Sequence, residues 1–125
     1  MTIQKALDMT DKMMPNFMEK QLKLDFLTEI EQVIHQEIIM KHEHTQEQET
    51  LPVYDIDTDP GTALAIPDPY SMLYVYYLLS KIDEQNLEFD KYNAHRALFE
   101  YHYERMNDWY TRNHMPITFV REFRL

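Results

Sequence analysis

The stretch Pro69-Tyr-Ser-Met-Leu-Tyr-Val-Tyr-Tyr-Leu-Leu-Ser-Lys-Ile-Asp-Glu-Gln85 decides the fold. Met72, Val75, Leu79 and Ile82 recur at alternating spacings of three and four, the period that lines one face of an α-helix. Asp68-Pro69 just before them places an aspartate at the N-cap and a proline at the first helical position, where a missing N–H goes unnoticed. The pattern predicts a helix to about Gln85, broken weakly at Asn86.

Working outward, a further helix follows from about Leu87 to Asn113, with Tyr92, Phe99, Met106 and Trp109 or Tyr110 on one stripe and His95 and His102 beside them. Pro116 ends it, because the residue before a proline avoids the helical region. Towards the N-terminus, Thr2 caps a first helix to about Met13, with Ile3, Ala6, Leu7 and Met14 near one face, and Pro15 stops it. Asn16 with Glu19 resembles a capping box for a second helix to about Glu43, whose stripe is Leu22, Phe26, Leu27, Ile30, Val33, Ile34 and Ile38. Residues 42–50 are polar, and 51–68 hold three prolines and the chain's single glycine. The expectation is an all-α protein, a small bundle of about four helices with a long acidic loop (44–68) and an extended C-terminal tail. Residues 1–116 form one helical domain and 117–125 the tail.

Composition narrows the function. A chain of 125 residues, 44% apolar, has room for one packed core, and one glycine is too few for hairpin-rich folds. Without cysteine, disulfides, thiolate zinc sites and cysteine nucleophiles drop out. Met1 to Asp11 is amphipathic rather than a signal sequence, and Met72 to Leu79, the longest apolar run, is too short for a membrane span; a soluble intracellular protein is expected. The net charge is −10, and Glu29 to Pro60 carries nine acidic residues against one lysine. Sequence-specific or non-specific nucleic-acid binding is not expected of such a chain.

The aspartates of Val53-Tyr-Asp-Ile-Asp-Thr-Asp-Pro-Gly61 open like a calcium loop. Counted from Asp55, the sixth position is Pro60 and the twelfth is Ile66, where such a loop needs glycine and a bidentate glutamate. Asp55, Asp57 and Asp59 therefore read as an Asx-rich turn or a partner-facing loop. His35, His42 and His44 could hold a metal, yet H-x-H at a Glu/Gln-rich helix end is more often solvated surface. No histidine has a glutamate three residues before it, as a di-iron bundle requires. No nucleophile elbow, phosphate loop or dinucleotide fingerprint is present. No cofactor, no metal and no enzymatic activity are expected.

Read in order, Tyr54-Asp-Ile-Asp-Thr-Asp59, Pro67-Asp-Pro-Tyr-Ser-Met-Leu-Tyr-Val-Tyr-Tyr77, Lys91-Tyr-Asn93 and Trp109-Tyr-Thr-Arg-Asn-His-Met-Pro116 resemble head–tail connector (adaptor, or head completion) proteins of tailed phages and prophages of Gram-positive bacteria. The likeness covers roughly residues 50–116. Such proteins often carry Asn-Gly between the third and fourth helices, where this chain has Gln85-Asn86-Leu87. The resemblance implies a structural virion protein that forms a ring, dodecameric in the family, beneath the portal and extends the DNA channel. Its partners would be itself, the portal protein and a downstream neck or tail completion protein. Its place would be the neck of the virion, and the host cytoplasm during assembly. The expected interaction residues are Asp55, Asp57 and Asp59 in the loop, Tyr76, Tyr77, Trp109, Tyr110, Arg112 and His114 on the last two helices, and Ile117, Phe119, Arg121, Phe123 and Arg124 in the tail. The tail's alternation of apolar residues and arginines suits docking on a neighbouring subunit or on the next ring of the neck, with Ile117, Phe119 and Phe123 as anchors; the alternative is a tail folded back onto its own bundle. The loop, long and charged, is expected to be mobile until a partner orders it. Two other readings stand: another phage-encoded helical interaction protein, scaffold-like or binding a host factor, and a metal-responsive binding module.

Overall fold

The computed structural model describes residues 1–117. Among them are four α-helices: α1 (Ile3–Met13), α2 (Lys20–Glu37), α3 (Met72–Gln85) and α4 (Phe89–Asn113), with short 3₁₀ turns at Ile39–Lys41 and Gln46–Glu49. The expected all-α bundle is what forms.

Helix α3 is the spine. Leu73, Tyr74, Val75 and Leu78 are fully buried, and Leu79 and Ile82 nearly so, so apolar residues cover its whole circumference. A helix of that kind must be surrounded, and α3 packs on α4, α1 and α2 in turn. Leu24, Leu27, Ile30 and Ile34 of α2 and Ile3, Ala6 and Leu7 of α1 complete the core. Helix α4 contributes Phe99, Met106 and Tyr110 to it and leaves the rest of its roughly 37 Å length (at about 1.5 Å per residue) at the surface.

The helix ends show where local signals were read correctly and where they were not. Thr2 does cap α1, its hydroxyl oxygen accepting from the Lys5 N–H at 3.1 Å. Asn16 does not cap α2. Its side chain accepts from the Met18 N–H at 3.1 Å and donates to the Met14 carbonyl at 2.9 Å, which organises the turn around Pro15 instead. Nor does α2 reach Glu43. It stops at Glu37 because Ile38 and Ile39 turn into the core and the His42 ring takes the Ile38 carbonyl at 2.6 Å. Helix α3 starts at Met72, not at Pro69: Ser71 stands at the N-cap, and the Asp68 carboxylate accepts the Ser71 hydroxyl.

The α3–α4 corner closes as a Schellman motif. The Leu87 N–H donates to the Glu84 carbonyl (3.1 Å) and the Glu88 N–H to the Asp83 carbonyl (2.9 Å). Leu87 takes the left-handed conformation this requires, at φ 57°, with its side chain 70% exposed.

The expected mobile loop is instead laid against the bundle. Tyr54, Leu64 and Ile66 are buried. The Pro60 and Thr62 carbonyls accept from the Gln4 and Ile3 N–H groups, both at 3.0 Å, satisfying donors that the first turn of α1 cannot satisfy itself. Burial of three apolar side chains and use of its backbone carbonyls outweigh the acidity that argued for a detached segment.

Candidate interaction site

A buried carboxylate explains how the loop is held. Glu31 lies on the inward face of α2 and is fully buried. Its Oε2 accepts from the Tyr54 hydroxyl at 2.8 Å and the Ala65 N–H at 3.0 Å, and its Oε1 from the Tyr74 hydroxyl at 2.5 Å. The Tyr74 oxygen accepts in turn from the Ile66 N–H at 3.1 Å. Burial, then the Glu31 charge, pushes the Tyr54 and Tyr74 hydroxyls above the ordinary tyrosine range, so both remain donors. Thr28 and Gln32, on either side of Glu31 along α2, bind the Tyr54 N–H (2.9 Å) and the Pro52 carbonyl (2.9 Å). One turn and a half of α2 therefore holds both ends of segment 52–66. This hub was not among the expected site residues, and its only mark in the sequence is an acid among the apolar positions Leu27, Ile34 and Ile38.

Two of the three aspartates, Asp55 and Asp59, turn their carboxylates on the loop's own backbone. Asp55 Oδ1 accepts from the Asp57 and Thr58 N–H groups at 2.8 and 3.0 Å, and Asp59 Oδ1 from the Gly61 N–H at 2.9 Å. This is the Asx-turn geometry. Asp55, Asp57 and Asp59 remain exposed, on the outer side of the seated loop. The histidines are similarly committed: Nδ1 of His35, His42, His44 and His114 each lies 2.6–3.0 Å from a backbone carbonyl. Among the described residues no three His, Asp or Glu side chains come together as a metal site would need.

The expected aromatic residues divide between core and surface. Tyr77 and Tyr110, expected as contact residues, are instead buried in the protein's own core, each 5% exposed. Tyr77 packs against Phe99 and gives its hydroxyl to Glu29; Tyr110 stacks on His114 at 3.8 Å between ring centroids. Tyr76 and Trp109 are half-buried at the edge of the core. Tyr76 stacks on His102 at 5.2 Å, and Trp109 on Tyr70 at 4.9 Å. Arg105 lies 5.9 Å from the Tyr70 ring and 5.6 Å from the Tyr101 ring, a cation–π bridge between the two. Leu98, Tyr101, Arg105 and Trp109 follow one another at spacings of three and four, so they line one face of α4. Leu98 is 40% and Tyr101 55% exposed.

No family profile matches the chain, and neither a curated protein nor a solved structure does. The site must therefore be judged on its own chemistry.

The α4 face combines tyrosine, tryptophan and arginine, the residue types that dominate the energetics of protein interfaces. Arg112 is exposed further along the same helix, and Ile117 is half-buried. Phe119, Arg121, Phe123 and Arg124 lie outside the described residues. Among the described residues no helix is long and apolar enough to cross a membrane.

Proposed function

We propose that the protein is a head–tail connector of a tailed phage, a virion subunit that assembles with copies of itself beneath the portal and meets a downstream neck protein on its other side. The observation that carries the proposal is the outward stripe Leu98, Tyr101 and Arg105, which runs on to the half-buried Trp109. A helix that buries only Phe99, Met106 and Tyr110 of its 25 residues, yet presents an aromatic and arginine face, is suited to hold a second surface. The motif order quoted from residues 50–116 supplies the kind of assembly. The formal charge of −10 supports a channel past which DNA slides without adhering. Assembly takes place in the host cytoplasm and ends in the neck of the virion.

The test is to mix the purified full chain with the portal ring encoded beside it and to image the product by electron microscopy. The expected result is an added ring coaxial with the portal, absent when Tyr101→Glu is used. Tyr101 is exposed, so this variant keeps the parent's melting temperature. A parent chain that leaves the portal unchanged refutes the proposal. A Tyr101→Glu chain that still forms the ring removes the α4 face from it.

A further inference from the structure

The outer side of α4 carries a continuous exposed seam. Leu98, Tyr101, Arg105, Asp108 and Arg112 follow one another at spacings of three and four, and all five are exposed. Lys91, also exposed, extends the line seven residues back. At about 100° per residue, the seam stands roughly 140° around the helix from Phe99, Met106 and Tyr110, which face the core. It combines two apolar side chains with three cations and one acid.

The seated loop presents the opposite chemistry. Val53 and Ile56 are 67% and 64% exposed, and Asp55, Asp57 and Asp59 are exposed among them. No lysine or arginine lies between Lys41 and Lys81, so the segment has no neighbouring cation in the chain to answer its acids. Among the described residues Asp57 lends only its backbone N–H to the Asx turn, which leaves its carboxylate to face outward. Within the subunit the loop is tied to α1 through Pro60 and Thr62 and to α2 through Thr28, Glu31 and Gln32. Helix α4 packs chiefly on α3. The two surfaces therefore belong to different elements, and each is open to another molecule.

We propose that the α4 seam of one copy docks on the aspartate loop of the next, with Leu98 and Tyr101 against Val53 and Ile56, and Arg105 and Arg112 among the three aspartates. Charge complementarity selects this occupant. Two seams laid together would oppose cation to cation, and two loops would oppose carboxylate to carboxylate. Each copy offers one seam and one loop, so the contact is head-to-tail and copies add in one direction, into a ring where the rotation closes. This deepens the connector proposal by naming the two surfaces that neighbouring subunits share, and it rests on that proposal for the closed ring. The contact itself needs no portal.

The test therefore uses the full-length chain alone. In an amide NMR dilution series starting at about 1 mM, where contacts of millimolar affinity are populated, the peaks of residues 53–59 and 98–112 should move together. Asp57→Arg and Arg105→Asp should each weaken self-association by on the order of tenfold, because each sets like charges against one another. An equimolar mixture of the two variants should regain it, and so should the chain carrying both changes, since every contact again pairs an arginine with an aspartate. That recovery also shows that the variants are folded. Movement confined to one of the two segments would mean a contact between like surfaces and overturn the proposal. Movement in neither segment, or a doubly changed chain as weak as the single variants, overturns it as well. Each of these failures leaves the connector proposal to its own portal test, in which the parent chain either adds a ring or does not.

Discussion

Replacing Glu31 by glutamine keeps the shape of the side chain and removes one acceptor oxygen from the hub. In the parent, three donors converge on the carboxylate, two on Oε2 and one on Oε1. An amide can offer its carbonyl oxygen to one side only, and its NH2 meets a donor on the other. With the oxygen turned to Tyr54 and Ala65, the Tyr74 hydroxyl is the group left over, since its oxygen already accepts from Ile66 and its proton has nowhere to go. Leaving one fully buried donor unmet costs about 1–3 kcal/mol, and exchanging charge-assisted bonds for neutral ones adds about 1 kcal/mol. An amide is less costly to bury than a carboxylate, which offsets part of this and leaves a net loss of about 2 kcal/mol. That is a large share of the roughly 5–15 kcal/mol that holds a domain folded. In urea unfolding, with a slope of about 1–3 kcal/mol/M, the midpoint of Glu31→Gln should fall by roughly 1 M. Hydrogen exchange should accelerate first at Ala65 and Ile66, whose N–H groups depend on the hub directly or through Tyr74. An unchanged midpoint would refute the account. So would a fallen midpoint with exchange at 65–66 no faster than in α4, because the stability would then not pass through the loop.

Leu87→Gly should raise the urea midpoint, by the equivalent of up to about 1 kcal/mol, because a glycine relieves the left-handed conformation at φ 57° and the exposed leucine gives up no packing. A neutral or lower midpoint would show that the corner carries no strain. At His102, burial first and the neighbouring Arg105 second hold the imidazole below its ordinary value of 6.5. The fold thus favours the neutral ring, whose contribution is complete above 6.5 and is lost as pH falls through the lowered value. His102→Phe keeps a ring against Tyr76 and should flatten the decline in urea midpoint between about pH 7 and about pH 5; an unchanged slope would place the acid sensitivity elsewhere.

Short-range physics determined what the sequence could state by itself. The apolar period of 72–82, the Thr2 cap and the stop at Pro116 each involve residues within a few positions of one another, and α1, α3 and α4 lie close to where those signals put them. The Asx turn at Asp55–Asp59 is equally local and equally legible. Signals that compete locally were settled by packing. Asn16 can cap a helix or brace a proline turn, and the apolar Ile38 and Ile39 end α2 by entering a core that the local sequence does not reveal. The hub lay beyond reach for the same reason: Glu31 meets Tyr54 and Tyr74 across 23 and 43 residues, and an acid in an apolar stripe identifies no partner. Whether each tyrosine faced the core or solvent also depended on the arrangement of whole helices, which placed Tyr77 inside and Tyr101 outside. Composition alone marks segment 44–68 as acidic and proline-rich. Only the tertiary structure decided that it is seated, because its three buried side chains and the carboxylate beneath it meet only where α2 and α3 pack together.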